Sequence, residues 1–332
     1  MVMRVFVTGA TGFIGSHVVT MLKEKDHDIV CLVRKSSDIG DLEDKVTVVH
    51  GDVTDKPSIV SGMRGCEWVI HLANVYSFWE PDKSVYKSVN VNGTRNVMEA
   101  AIETVAAKIV HVSSVVTYGR PDQLPFTEET PEGLSLFSEY ARTKSAADAL
   151  VWKLYKNQRL PVVMVYPGAV AGPGDLKASG QYIHDLINRR LPMRVYDNSI
   201  LTWVHVRDVS TAIVKTLELS DNLGERYLIC SEQVTNREFT NMVAQISGVP
   251  SPRIRLPDFL VSVNAFLLTA LAKVTRQAPP WGMSMDQMNT LREGIVADGA
   301  KAKRELGIVY TPLYTALEEA IEWYRQELAV ST

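Results

Sequence analysis

Thr8-Gly9-Ala10-Thr11-Gly12-Phe13-Ile14-Gly15 is the stretch that decides the fold. It follows directly on the apolar run Arg4-Val5-Phe6-Val7 and opens an amphipathic segment from Ile14 to Glu24, so that strand, tight turn and helix succeed one another. Each glycine has a separate physical task. Gly9 permits the tight turn, Gly12 lets the backbone approach a pyrophosphate, and Gly15 lets the helix pack close to the strand. The helix start then offers free N–H groups to the anion.

Working outward, the runs RVFV, DIVCLV, VTVVH, EWVIHLA, KIVHVSS and LPVVMVY alternate with helical stretches, including Asn90 to Thr104 and Glu139 to Asn157. Such alternation predicts βαβ units and a parallel sheet. The runs are almost continuously apolar, as strands are when helices cover both faces. Beyond residue 166 the regularity fades into PGAVAGPGD, SGVPSPRIRLPD and QAPPWG. The expected organisation is a nucleotide-binding domain over residues 1–170, rejoined by 203–232, with a discontinuous cap over 171–202 and 233–332. VHVRDV and ERYLIC are expected to return to the main sheet.

The 332 residues and 46% hydrophobic content suit a globular enzyme with a proper core. A net charge of -3 without a long basic block argues against nucleic acid as a partner. Cys31, Cys66 and Cys230 show no disulfide or zinc spacing and read as buried thiols of a reducing, cytoplasmic protein; the scattered histidines form no metal-binding pair. His71 and His111 lie in strand-like runs and read as satisfied core residues. The N-terminus lacks a secretory pattern. Phe259 to Val274 is the most apolar long segment, yet Ser262, Asn264 and Lys273 interrupt it. It reads as a helix packed on the domain or a greasy lid over a pocket, and not as a membrane span.

Of the twelve tyrosines only Tyr140 is followed by a lysine four residues on, Lys144. On a helix that spacing puts both on one face, with Cβ atoms about 5 to 6 Å apart. A neighbouring ammonium stabilises a phenolate, so Tyr140 becomes a usable proton donor and acceptor. KIVHVSSVVTYG supplies Ser113 and Ser114, whose hydroxyls suit an oxyanion forming at a carbonyl.

These motifs resemble the extended short-chain dehydrogenase/reductase family, with sugar-nucleotide epimerases, dihydroflavonol-reductase-like enzymes and 3β-hydroxysteroid dehydrogenases among its members. The resemblance rests on the GxxGxxG turn and on Tyr140 and Lys144, and it implies a Rossmann-type doubly wound parallel sheet with a small, mostly helical substrate-binding cap. It selects Ser114 as the catalytic serine, four residues before Tyr118-Gly119, with Ser113 as fallback, and gives Lys144 the nicotinamide ribose. Asn90 of VNVNGT matches an asparagine that supports the lysine through water. The resemblance sets Asp52 and Val53 against the adenine, His71-Leu72-Ala73 along the dinucleotide, and Ser113 and Pro167 beside the cofactor. It also implies a homodimer through the helices near 90–104 and 139–157.

In such folds the tip of the second strand faces the adenosine ribose, where a basic side chain favours a 2′-phosphate. Here Arg34 and Lys35 occupy that tip, so NADP(H) is the preferred cofactor, with NAD(H) possible. Counting back from Gly172-Pro173, Ala169 and Tyr166 stand where sugar-nucleotide enzymes carry the asparagine and arginine of their R-x-x-N-x-x-G-P pattern. VYPGAVAGPGD and Tyr76-Ser77-Phe78-Trp79-Glu80-Pro81 resemble the dihydroflavonol-reductase-like branch. Tyr76, Phe78, Trp79, Tyr118, Val170 and Tyr182 are therefore the expected substrate-pocket residues, while Met283, Met285 and Met288 read as core-fillers. The leading expectation is NADPH-dependent reduction of an apolar aldehyde or ketone, aromatic and terpenoid carbonyls among the candidates, to the alcohol. A sugar-nucleotide epimerase or dehydratase with retained NAD(H), suggested by Arg292, and a non-catalytic redox sensor are the alternatives.

Overall fold

In the computed structural model, which describes residues 2–40 and 46–330, the glycine turn leaves the middle of a seven-stranded parallel sheet. The chain runs β1 (Arg4–Thr8), α1 (Phe13–Glu24), β2 (Asp28–Val33), β3 (Thr47–His50), α2 (Lys56–Met63) and β4 (Trp68–His71). Then come α3 (Ser84–Tyr86), a π-helical turn Lys87–Gly93, α4 (Thr94–Glu103), β5 (Lys108–Val112), α5 (Glu139–Gln158) and β6 (Val162–Pro167). Strand order is β10-β6-β5-β4-β1-β2-β3, with β10 at Arg226–Ile229. The direction of winding reverses between β1 and β4, and the crevice beyond the carboxyl ends of those strands is where such sheets hold ligands.

Both faces of the sheet are covered, which explains the uninterrupted apolar strands. Val18, Val19 and Leu22 of α1 pack on one face beside Val209, Ile213 and Leu217. Ile59 and Met63 of α2, Val97 and Met98 of α4, and Val151 and Leu154 of α5 pack on the other. The three cysteines lie free and buried in these cores. Burial lifts the Cys31 thiol to about 12 and the Cys66 thiol to about 11.

The cap is built from β7 (Ala169–Ala171), α6 (Ala178–Ile187), β8 (Met193–Arg194), β9 (Ile200–His205), β11 (Glu232–Thr235), α8 (Asn236–Ser247), β12 (Ile254–Arg255), α9 (Asp258–Thr275) and α10 (Met285–Glu293). Its helices pack around a three-stranded sheet ordered β11-β9-β7. Two assignments made from the sequence need correcting. The strand half of VHVRDV does not join the main sheet: β9 pairs with β7 and β11, and only the helix after it, α7 (Val206–Glu218), packs back against the main sheet. Nor do all residues after 233 belong to the cap. In α11 (Ala300–Glu305) and the turn after it, Ala302, Leu306 and Ile308 bury into the core beneath the main sheet. The chain then returns to the cap with α12 (Leu313–Val330).

Candidate active site

Two glycines fix the cleft at the end of β1. Gly9 has φ +77, and a Cβ there would stand 2.7 Å from the Ala73 backbone nitrogen. A Cβ on Gly15 would fall 2.0 Å from the Gly9 carbonyl oxygen, so β1 and α1 meet only because that atom is missing. A cavity of about 870 Å³ opens over this turn. Gly9, Thr11, Gly12, Phe13, Ile14 and Gly15 form its floor, with Arg34 and Ser37 at one end. Asp52, Val53, Leu72 and Ala73 line the next stretch. Lys35 is exposed and lies outside the cavity wall, so of the two basic residues at the strand tip only Arg34 faces it.

Farther along, Ser113, Ser114, Tyr140 and Pro167 line the same cavity where it turns into the cap. Ser114 starts the short helical turn Val115–Tyr118, and its Oγ accepts the Val116 N–H at 3.4 Å. The Tyr140 side chain is packed edge-on by Tyr76, ring centres 5.3 Å apart, and by Phe78 at 6.2 Å. Burial pushes the Tyr140 hydroxyl above the ordinary tyrosine value and the neighbouring Tyr76 adds to the rise, while the Ser114 hydroxyl, which faces it, works the other way.

The sequence reading had the ammonium of Lys144 stabilising a Tyr140 phenolate. In this structure Lys144 points Nζ at the Val112 carbonyl oxygen, 2.8 Å away, and burial dominates at Tyr140. Desolvation lowers Lys144 to about 8, and Asp148 opposes that fall. Asp148 is a site residue that the sequence reading missed. It follows Lys144 by four on α5, so the spacing that joined Tyr140 to Lys144 also extends to it. Its Oδ2 accepts the Ser113 hydroxyl at 2.7 Å, which commits Ser113 to a structural bond and leaves Ser114 to face Tyr140. Burial raises Asp148 to about 6, and Lys144 and the Ser113 hydroxyl hold it down.

The two strand histidines part company. Thr94 gives its hydroxyl proton to the Asn90 carbonyl, so His71 Nε2 donates to Thr94 Oγ1 at 3.0 Å and Nδ1 accepts from Thr8 Oγ1 at 2.7 Å. His71 is therefore neutral and fully bonded. His111, stacked on it at 5.2 Å, is not the satisfied residue that the sequence reading expected. Neither ring nitrogen has a hydrogen-bond partner, and Nε2 stops 3.4 Å from Asp148 Oδ1. Desolvation holds both rings well below the ordinary histidine value.

Asn90 sits in the π-helical turn, a local widening that often accompanies function. Its Oδ1 accepts the Val75 N–H at 2.7 Å, and its Nδ2 donates to Thr143 Oγ1 at 3.1 Å. It thus ties the loop after β4 to α5.

In the cap, Tyr76, Phe78, Val170 and Tyr182 line the cavity as expected, joined by Trp203, which the sequence did not point to, and by Met283 and Met288, which read as core-fillers and here both pack in the cap and touch the cavity. Two expectations fail. Tyr118 is fully buried, stacked on Phe126 at 4.8 Å, because the turn carrying it points into the core and away from the cavity. Trp79 borders a separate small cavity of about 180 Å³ with Tyr86 and Met285, on the far side of Phe78, which touches both cavities. Arg292 also lies off the main cavity, its Nε on Glu293 at 3.1 Å.

A glycine-floored cleft continuous with a serine and a tyrosine at the sheet's switch point is the arrangement of an extended short-chain dehydrogenase/reductase. The chain belongs to the NAD-dependent epimerase/dehydratase family, whose model matches residues 5–230. It is similar to sterol demethylase protein B of Methylococcus capsulatus, 30% identical over 98% of this chain and 99% of that one. It is also similar to a putative dihydroflavonol 4-reductase of Synechocystis, 28% identical over 98% of this chain and 96% of the relative. Among solved structures gox2253 superimposes with a TM-score of 0.84 at 33% identity, covering 98% of both chains.

Proposed function

We propose that the chain is an NADPH-dependent reductase that converts an apolar aldehyde or ketone to its alcohol. The observation that carries this reading is that Ser114 and Tyr140 stand where the glycine-floored cleft runs into the mostly apolar cap cavity. The cleft fits a dinucleotide: its glycines leave room where a Cβ would collide, and the N–H groups at the start of α1 suit a pyrophosphate. Arg34 would meet a 2′-phosphate with a planar fork, and Asp52 and Val53 would flank the adenine. When bound, a reduced nicotinamide supplies the hydride.

The chain's own residues do the rest. Tyr140, kept protonated by burial, donates its Oη proton to the carbonyl oxygen as negative charge develops there. Ser114 offers a second hydroxyl to the same oxygen. Lys144 is mostly charged at neutral pH and supplies a positive field beneath the site. Tyr76 and Phe78 close the aromatic side and keep water from the reacting oxygen.

Two features weigh against a sugar-nucleotide epimerase. Ala169 lies on the cavity wall and brings no amide to a diphosphate, and the guanidinium of Arg292 is turned to Glu293 outside the cavity. The test is NADPH consumption with a panel of apolar aldehydes and ketones, run beside NADH. Arg34→Ala is expected to lower the NADPH-over-NADH preference in kcat/KM by about tenfold, the worth of one charged hydrogen bond. Turnover of a UDP- or dTDP-sugar with none across the carbonyl panel would sink the reading.

A further inference from the structure

Helix α9 inverts the usual sorting of side chains. Phe259 is 68% exposed, Phe266 62% and Val274 82%, and Leu260, Val263, Leu267 and Leu271 are exposed beside them. At 3.6 residues per turn all seven fall within an arc of about 140°. Val261, Ala265 and Ala272 on the opposite side are buried against the cap. The helix thus turns a broad apolar stripe outward while its opposite side is covered, with Ser262, Asn264, Thr269 and Lys273 between the two, a pattern that does not arise from water-facing selection.

By length and composition α9 is the one helix among the described residues that could cross a membrane. Its attachments argue for a different posture. The strand before it, β12, pairs with β8, the Tyr196 and Ser262 hydroxyls bond at 3.2 Å, and Thr269 Oγ1 accepts the Met285 N–H at 2.9 Å. Crossing would strip these contacts, whereas lying flat would keep them and bury the exposed stripe. Charge supports the flat posture. Residues 251–280 carry four basic side chains, Arg253, Arg255, Lys273 and Arg276, against the single acid Asp258, in a chain of net charge -3. All four are exposed, and they flank the stripe at both ends. Asp258 reaches Arg255 at 3.7 Å and Asp82 lies near Arg276, so a positive excess remains.

We propose that α9 is a docking helix that seats this protein on an anionic lipid surface, its apolar stripe in the acyl boundary and its basic flanks among the headgroups. Asn264 and Leu268 of the same helix line the large cavity, so the docked helix stands between the lipid and the active site. An apolar substrate dissolved in the bilayer would meet this helix on its way to the cavity. The proposal concerns binding and holds whichever reaction the cavity performs.

The experiment is vesicle flotation of the full chain with phosphatidylcholine/phosphatidylglycerol vesicles and with pure phosphatidylcholine vesicles. Wild type is expected to float with the anionic vesicles and about tenfold more weakly with the neutral ones. Val263→Asp/Phe266→Asp, both at exposed positions outside the cavity wall, is expected to lose at least about tenfold in vesicle affinity with an unchanged melting curve. Should that variant misfold, Arg253→Glu/Lys273→Glu decides, expected to lose the preference for anionic vesicles. Wild type remaining in the aqueous fraction overturns the proposal, as does undiminished flotation of folded variants. A self-associated wild type that Val263→Asp/Phe266→Asp makes monomeric also overturns it, because the stripe would then be covered by a second copy.

Discussion

Helices α5 and α9 break the same sorting rule in opposite directions. On α5, three successive turns bury Tyr140, Lys144 and Asp148, residue types that ordinarily face water. On α9, three turns and more present phenylalanine, leucine and valine to the outside. Burying an ammonium and a carboxylate costs stability unless each finds a partner, and exposing a broad apolar stripe forgoes the burial that stabilises a core. Both departures mark places where residue identity answers to something other than the fold. On α5 it is the proton chemistry proposed for the site; on α9 it is the lipid surface proposed for the helix.

The largest expected effect breaks the α5 side outright. Tyr140→Phe removes the hydroxyl and leaves the ring packing, so kcat should fall about 1,000-fold in single-turnover assays while nucleotide binding, followed by fluorescence, persists. A fall of less than tenfold would remove Tyr140 as the proton donor. Next comes a contrast within α9. Val261→Asp puts an unpaired carboxylate on the buried side, and denaturant titration should show a loss of about 3 kcal/mol or more. The same chemical change at Phe266, on the exposed side, should stay within about 0.5 kcal/mol. Equal losses at the two positions would mean that the stripe is not solvent-facing.

A smaller effect sharpens the α5 side. The Asp148 carboxylate raises the Lys144 pKa against desolvation, so Asp148→Asn removes the opposing influence. Lys144 should then lose its proton at lower pH, and the alkaline limb of kcat/KM for NADPH should move down from about 8, with less than about tenfold change at neutral pH. A limb that stays in place would show that Lys144 does not titrate with it. Stability carries a matching signature. Asp148 binds its proton more tightly folded than unfolded, so its contribution declines as pH climbs from 3.8 to about 6, and Asp148→Asn should flatten that decline.

The α/β layering and the glycine turn were legible because their signals are local: short apolar runs, three glycines at fixed spacing, and one tyrosine–lysine pair. Tyr118 and Trp79 were misplaced because a loop's sequence does not say which of its neighbours meets the cavity and which meets the core. β9 was assigned to the wrong sheet for a similar reason, since WVHV suits either sheet and its strand partners are β7 and β11. The rejoining of Ala302 and Leu306 with the main core depends on contacts with α7 and β10 that no periodicity records. Asp148 lay within reach of the same spacing rule that picked out Lys144, but its importance comes from His111 on the interior strand β5 and Ser113 just after it. For α9, apolar residues spread over more than one side hide which side is covered.

The Asn90 amide bonds join two parts of the site into one. Val75 hangs from that side chain, Thr143 is held by it, and the aromatic wall of Tyr76 and Phe78 follows Val75 directly. The wall and the tyrosine it packs against are therefore tied through one amide as well as through ring contact. In the proposed reaction, a substrate too bulky for the cavity would gain room on that side only at the expense of the ring that carries the proton. Met283 and Met288, unbranched side chains on the same cavity wall, are the ones that could repack instead, and the breadth of the proposed reaction would be set by them.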